Sequence, residues 1–245
     1  MTRLPRGFGT VVLLCLLSQS VRAAETPLPA PLELRYVLRY GDLTVGRVTK
    51  TLTREPDGSY MHRSRSQPEG MARWFTSVEW FEEGRFEVVQ GRVRPLSFVE
   101  YRVGADKSHR HSAAFDWKTG QIHYSHGPVV PLPPDTQDQD SLLYAFMLHP
   151  PAPGSDQTIH ISGGKKIKRY RYAQNGSETL KTALGTLQTR IVERQPLGKE
   201  DEEFRIWLAP ARANLAVRIQ TIKRGQPTTL ELESISGTLP AAPAP

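Results

Sequence analysis

The chain has one cysteine in 245 residues, Cys15, and it lies in an apolar run near the start. The rest of the chain therefore has no disulfide and no thiol chemistry to draw on, and burial alone must hold it together. Long apolar runs are missing as well. Residues 11–17 form the densest one, too short to cross a bilayer, and no later run approaches that length. Motifs for nucleophilic catalysis are absent: there is no G-x-S-x-G elbow and no second cysteine to pair with a histidine. The adjacent acids Glu82-Glu83, and those from Glu200 to Glu203, sit in turn-like contexts and read as solvated loops. These absences argue against an enzyme, and no catalytic residue and no cofactor are expected.

What the ends contain is informative. Arg3 and Arg6 precede the apolar run, and Val21-Arg22-Ala23 supplies small residues after it. That is the layout of a secretory signal peptide over residues 1–23, cleaved after Ala23. Cys15 follows Leu14 inside the apolar core, which argues against lipidation. The expected mature chain is periplasmic and free of cysteine. Losing Arg3, Arg6 and Arg22 leaves 29 basic against 25 acidic residues, a charge of +4. Such a weak, unclustered excess does not suit a nucleic-acid binder, and no membrane span is expected. Residues 24–31 and the Pro/Ala-rich 238–245 read as flexible segments flanking a single β domain over 32–237.

Most of that domain alternates apolar and polar residues. In "LELRYVLRYG", Leu32, Leu34, Tyr36, Leu38 and Tyr40 share one strand face. Val99, Tyr101 and Val103, then Phe115 and Trp117, then Phe204, Ile206 and Leu208 repeat the pattern. Leu215, Val217 and Ile219 slip phase before Ile222, and Leu230 and Leu232 slip before Ile235, as β-bulges would require. Asp57-Gly58, Glu83-Gly84, Gln90-Gly91, Thr119-Gly120, Asn175-Gly176 and Arg224-Gly225 read as turns. About a dozen strands joined by short turns imply an antiparallel meander curled into a barrel or half-barrel, since long open sheets are uncommon.

One stretch breaks the alternation. In "TQDQDSLLYAFMLHPPAPG", Asp138 or Asp140 can cap a helix, with Ser141 at or just inside the cap. Leu142, Leu143, Phe146 and Met147 share one helical face, broadened by Tyr144 and Leu148, and His149-Pro150-Pro151 ends the segment. Asp138 and Ser141, three residues apart, read as reciprocal caps rather than triad members. A helix of about ten residues is not stable alone. It must pack against the opening of the curved sheet, as a fixed plug or as a lid over an apolar cavity.

Several runs in the chain are similar to one family. "FDWKTGQIHYSHGPVVPLPPDTQDQDSLLYAFMLHP" resembles the F-D…(L)-P-x-x-x-Q-D-x-x-S run of a bacterial exported family catalogued as domain of unknown function 3108. "WLAPARANLAVRIQ" resembles its W-L-x-P…L-P-V-R-I run, and "YGDLTVGRVTKTL" its opening strand pair. Phe115, Asp116, Gln137, Asp138, Ser141, Trp207, Pro210, Val217 and Arg218 take the family positions. Ala216 stands where proline is usual, and Asp140 where an apolar residue is usual. The resemblance spans about Leu32 to Gly237 and implies a secreted all-β domain. It supplies no activity.

Three further clusters invite a functional reading. His109 and His111 share a strand face, and "HYSH" adds His123 and His126. Beyond Asp106 and Asp116 no third ligand stands out, so these read as exposed strand histidines and no metal is expected. "GGKKIKRYRY" places Lys166, Lys168, Tyr170 and Tyr172 on one face, suited to an anionic surface, although lysines commonly protect an edge strand. "MARWFTSVEWFEEGRF" places Trp74, Thr76, Val78 and Trp80 on one face, with Phe75 and Phe81 opposite. The expected function is binding of a lipid or other apolar or amphipathic envelope molecule. Leu142, Leu143, Phe146, Met147, Trp74 and Trp80 would line the site. The alternative is a solid-cored protein that contacts an anionic envelope polymer through Lys166, Lys168, Tyr170 and Tyr172.

Overall fold

The computed structural model describes residues 28–104, 109–195, 202–237 and 239. The segment expected to be a signal peptide (1–23), residues 24–27, and the Pro/Ala-rich 238–245 apart from Leu239 lie outside the described residues.

Alternation produces strands nearly everywhere. The first wing of the sheet holds β1 (Leu32–Tyr40), β2 (Leu43–Arg54), β3 (Tyr60–Pro68), β4 (Glu79–Val89), β5 (Arg92–Val103), β6 (Arg110–Asp116), β7 (Gln121–Tyr124) and β8 (Val129–Pro131). Then come β9 (Thr136–Gln137) and the helix α1 (Ser141–Leu148). The second wing holds β10 (Asp156–Ser162), β11 (Ile167–Thr182), β12 (Gly185–Gln195), β13 (Glu202–Ala209), β14 (Leu215–Lys223) and β15 (Gln226–Gly237). All fifteen strands form one sheet in the order β8-β7-β6-β5-β4-β3-β2-β1-β15-β14-β13-β12-β11-β10-β9. Neighbours are antiparallel except β9, which runs parallel to β10. The sheet is a curled meander that does not close, because β8 and β9 end it on opposite sides.

Side-chain contacts draw the two wings together where backbone pairing stops. Tyr124 Oη and Ser162 Oγ lie 2.9 Å apart, and Gln137 Nε2 donates to the Val93 carbonyl at 2.8 Å. The expected bulge before Ile235 is present, as the β1–β15 register shifts between Arg35 and Tyr36. The other falls at Val217 rather than after Ile219: the β13–β14 register skips that residue.

Some local readings change. Gly84 is in the middle of β4, not in a turn: a Cβ there would come 2.2 Å from Nε2 of His62, so only glycine lets that ring lie across the strand. Gly176 falls where β11 slips register against β12, between Gln174 and Ser177. In β5 the buried face carries Phe98 and not Val99 or Tyr101, the reverse of the expected phase. Trp74 is not on a strand. Residues 70–74 form a short 3-10 turn, and β4 starts only at Glu79.

The helix is the keystone. Asp138 Oδ1 accepts from the N–H groups of Asp140 and Ser141 at 2.9 and 2.8 Å, while Ser141 Oγ accepts from the Asp138 N–H at 2.9 Å. This is the reciprocal capping that the spacing implied. It fixes a helix of eight residues, two turns of which would melt in water. Packing against β5 and β14 holds it, and Leu142, Leu143, Tyr144, Phe146 and Met147 are all buried. Tyr144 and Met147 join one core cluster with Leu34, Tyr36, Phe86 and Trp207. Leu142, Leu143 and Phe146 join a second, with Val192, Ile206, Leu208 and Ile219. Each such side chain contributes about 1.5–3 kcal/mol by leaving water, so the plug ties the wings together.

Candidate functional site

Register decides what faces the interior. Across the first wing Lys50 pairs with Ser64, Ser64 with Glu82, Glu82 with Glu100, and Glu100 with His111. Five strands thus contribute a polar row to the concave face. Across the second wing Leu230 pairs with Ile219, Ile219 with Ile206, and Ile206 with Val192. That row is wholly apolar.

The helix start faces the polar row. Lys50 Nζ reaches Asp140 Oδ1 at 2.5 Å and Ser64 Oγ at 3.1 Å. His62, with no exposed surface, lies 3.3 Å from Asp138 Oδ1 and 3.7 Å from Asp140 Oδ2. Buried charges survive when paired in this way. Burial works against the His62 imidazolium, but the Asp138 charge and hydrogen bond, helped by Asp140, hold its pKa above the usual value. Burial likewise disfavours the Asp138 carboxylate, yet His62 and the hydrogen bonds of Ser141 keep its pKa low. Lys50 pays the same desolvation cost and is still held above its ordinary pKa by Asp140 and Glu82. For Glu82 the balance tips the other way: burial, then the Asp140 charge, outweigh the opposing charges of Lys50 and His62 and push its carboxyl up to about 7.

Between this row and the apolar one opens a cavity of about 510 Å³. Its polar end is Lys50, Glu82, Glu100 and Asp140. Its oily wall is Leu142 and Leu143 of α1 with Ile219, Leu230 and Phe204. Lys165, Lys166 and Lys168 stand at the rim with Tyr170, while Tyr172 lines the cavity from the buried core. The size is that of a small-molecule site. A second recess of about 590 Å³, on the other side of the helix, is lined mostly by polar groups such as Arg92, Arg94, Asp135 and His149.

The expected site residues divide. Leu142, Leu143, Lys166, Lys168, Tyr170 and Tyr172, read from sequence as two separate sites, come together around this one cavity. Phe146 does not line it, since its ring packs edge-on to Tyr172 at 5.4 Å and is fully buried. Met147 points into the other core cluster. Trp74 is 81% exposed on the 3-10 turn, beside Phe75 at 86%, far too open to line a pocket wall. Trp80 lies on the concave side but one row beyond the cavity lining, paired to Ser66 and Arg102, with the Arg102 guanidinium 3.5 Å over its ring. The lysine-rich strand is not an edge, because β11 lies between β10 and β12.

Sequence reasoning missed Lys50, His62, Glu82 and Glu100. The available signal was phase. Lys50 alternates with Val48 and Leu52, His62 with Tyr60, Glu82 with Phe86 through Gly84, and Glu100 with Phe98, all buried neighbours. Of the histidines, His123 is exposed on the outer face of β7, whereas His109 and His111 turn inward beside Glu100. Burial, with Arg102 and Lys165 for His109 and Lys165 for His111, lowers both imidazole pKa values.

An open, barrel-like β protein with an amphipathic interior cavity is the class that this fold and site define. The family described as "Protein of unknown function (DUF3108)" matches residues 35–233, and the chain belongs to that family. No curated protein matches the chain. Among solved structures it is similar to the "Beta-barrel-like Protein of Domain of Unknown Function DUF1849 from Brucella abortus", with a TM-score of 0.54 at 9% identity. That match covers 86% of this chain and 98% of the other. At such identity the likeness concerns the fold. No helix among the described residues is long and apolar enough to cross a membrane.

Proposed function

We propose that the chain is an exported cell-envelope protein that binds, without chemical change, an amphipathic molecule with an acidic headgroup. The single observation that carries this reading is the cavity's division into an apolar wall and a lysine rim. Lys50 is neutralised by Asp140, and Arg194 is paired with Glu202 at 3.0 Å. Lys165, Lys166 and Lys168 then outnumber Glu100 among the described lining residues, and Glu82 is only partly ionised at neutral pH. An alkyl chain would replace water against Leu142, Leu143, Ile219 and Leu230, worth about 0.8 kcal/mol per buried CH₂. Export rests on the arginine-flanked apolar start and its small-residue cleavage pattern. Binding rather than catalysis is favoured because His62, held by two carboxylates, has no exposed surface to offer a substrate.

Titration calorimetry with decanoate tests this. Saturable binding of one decanoate per chain is expected, and Leu143→Arg, which places a charge on the oily wall, should abolish it. Absence of saturable binding in the unsubstituted chain, or binding that survives Leu143→Arg, rejects the cavity as the site. A second reading draws on the exposure of Arg169 and Arg171, on the same strand as the rim residue Lys168. It is surface contact with an anionic envelope polymer. Retention on dextran sulfate that declines with salt would favour it, and salt-insensitive or absent retention would count against it.

A further inference from the structure

The side chains of Glu100, His109 and His111 make no hydrogen bond or ion pair described so far, although Glu100 borders the cavity. Two neighbouring strands bring them together. Glu100 on β5 sits directly opposite His111 on β6, and the Arg102 N–H donates to the His109 carbonyl at 3.1 Å, so extended pairing continues through His109. Residues two apart on a strand share a face. One nitrogen from each imidazole and one carboxylate oxygen consequently lie within 4.8 Å of one another. The two rings stand nearly perpendicular, 4.4 Å between centres.

Two details bear on His111 in this cluster. Nδ1 of His111 is buried with no hydrogen-bond partner among the described residues, and a buried polar atom left unpaired calls for an explanation. Gly164 backs the same side chain so closely that a Cβ there would lie 2.5 Å from that of His111. The loop between β10 and β11 therefore holds His111 in place.

We propose that Glu100, His109 and His111 form a three-ligand site for a divalent transition metal ion of the zinc class. Two nitrogens and one carboxylate are a donor set suited to zinc, copper or nickel, and too poor in oxygen for calcium or magnesium. Metal bonds of about 2.0–2.1 Å in a tetrahedral arrangement put ligand atoms about 3.3 Å apart. From within 4.8 Å of one another, the three ligand atoms need to close in by no more than about 1.5 Å to reach that spacing. The site does not depend on the amphipathic ligand, and its test separates the two.

The untagged chain, stripped with a chelator, should bind one zinc ion in titration calorimetry and none of added calcium or magnesium. The paired substitution His109→Ala with His111→Ala should remove binding. Glu100→Gln should weaken it by more than the roughly 10–100-fold that outer-shell partners are worth. His123→Ala, on the outer face, should leave it intact. Cobalt(II) absorption of the unsubstituted chain gives a readout that needs no variant: intense visible bands of a low-symmetry nitrogen–oxygen site, bleached by zinc, are expected. A cobalt spectrum unchanged from the hydrated ion, no saturable zinc binding, or zinc binding that survives the paired histidine substitution would overturn the assignment.

Discussion

The two wings of the sheet share one architecture and present opposite chemistry to the same interior. On the β2–β6 wing the central concave row is Lys50, Ser64, Glu82, Glu100 and His111. On the β12–β15 wing it is Val192, Ile206, Ile219 and Leu230. The helix between them matches both, with Asp138 and Asp140 at its start turned to the polar wing and Leu142, Leu143 and Phe146 to the apolar one. A filled β-barrel core is apolar throughout. An interior with one polar wall maintains a water-compatible surface next to an oily one, and it needs paired charges to remain folded.

Removing a partner from the polar wing should show the largest effect. Asp138→Ala deletes the helix cap and leaves His62 buried beside a single carboxylate, and urea unfolding should register a loss of about 3–5 kcal/mol. On the apolar wing Ile206→Ala should cost about 2–5 kcal/mol through its cavity. If Asp138→Ala cost less than about 1 kcal/mol, the polar wing would be decoration rather than structure.

A smaller effect should appear in the pH dependence, and only on the polar wing. Glu82 has its pKa raised from 4.5 to about 7, so the folded chain holds that proton longer than the unfolded one. Stability therefore falls as pH rises from 4.5 towards 7. His62 acts in the same direction: its raised pKa gives stability that is full below 6.5 and is lost as pH climbs through the folded value. Asp138, lowered below 3.8, acts oppositely, losing its contribution as pH falls through its folded value. The groups facing these three are Lys50, Asp140 and Glu100. Thermal melts should show greatest stability in mildly acidic buffer, and Glu82→Gln should flatten the decline between pH 4.5 and 7. An unchanged slope in that variant would place the titration elsewhere.

The sequence made the apolar wing readable and concealed the polar one. Alternation revealed Phe204, Ile206 and Leu208 because hydrophobicity marks a buried face directly. The capped helix was equally legible, since Asp138 and Ser141 and the prolines after His149 act within a few residues of chain. Lys50, His62, Glu82 and Glu100 gave no such sign. Their partners lie 14, 76, 90 or more positions away, or across a strand pair, and an isolated lysine or glutamate in a strand reads as solvent-facing. Glu100 stayed hidden as a companion of His109 and His111 for the same reason: register, not spacing, places it opposite His111. In the aromatic stretch the period-2 reading failed at Trp74 because Gly70, with φ of 57°, turns the chain out of the strand before β4 begins.

The rim's sign of charge is the most direct test of an amphipathic interior. Calorimetry should show the chain binding decanoate more tightly than decylammonium, and the paired substitution Lys166→Glu with Lys168→Glu should reverse that order while leaving the oily wall untouched. Equal affinity for the two ions, or an order that the reversed charges do not disturb, would contradict the account.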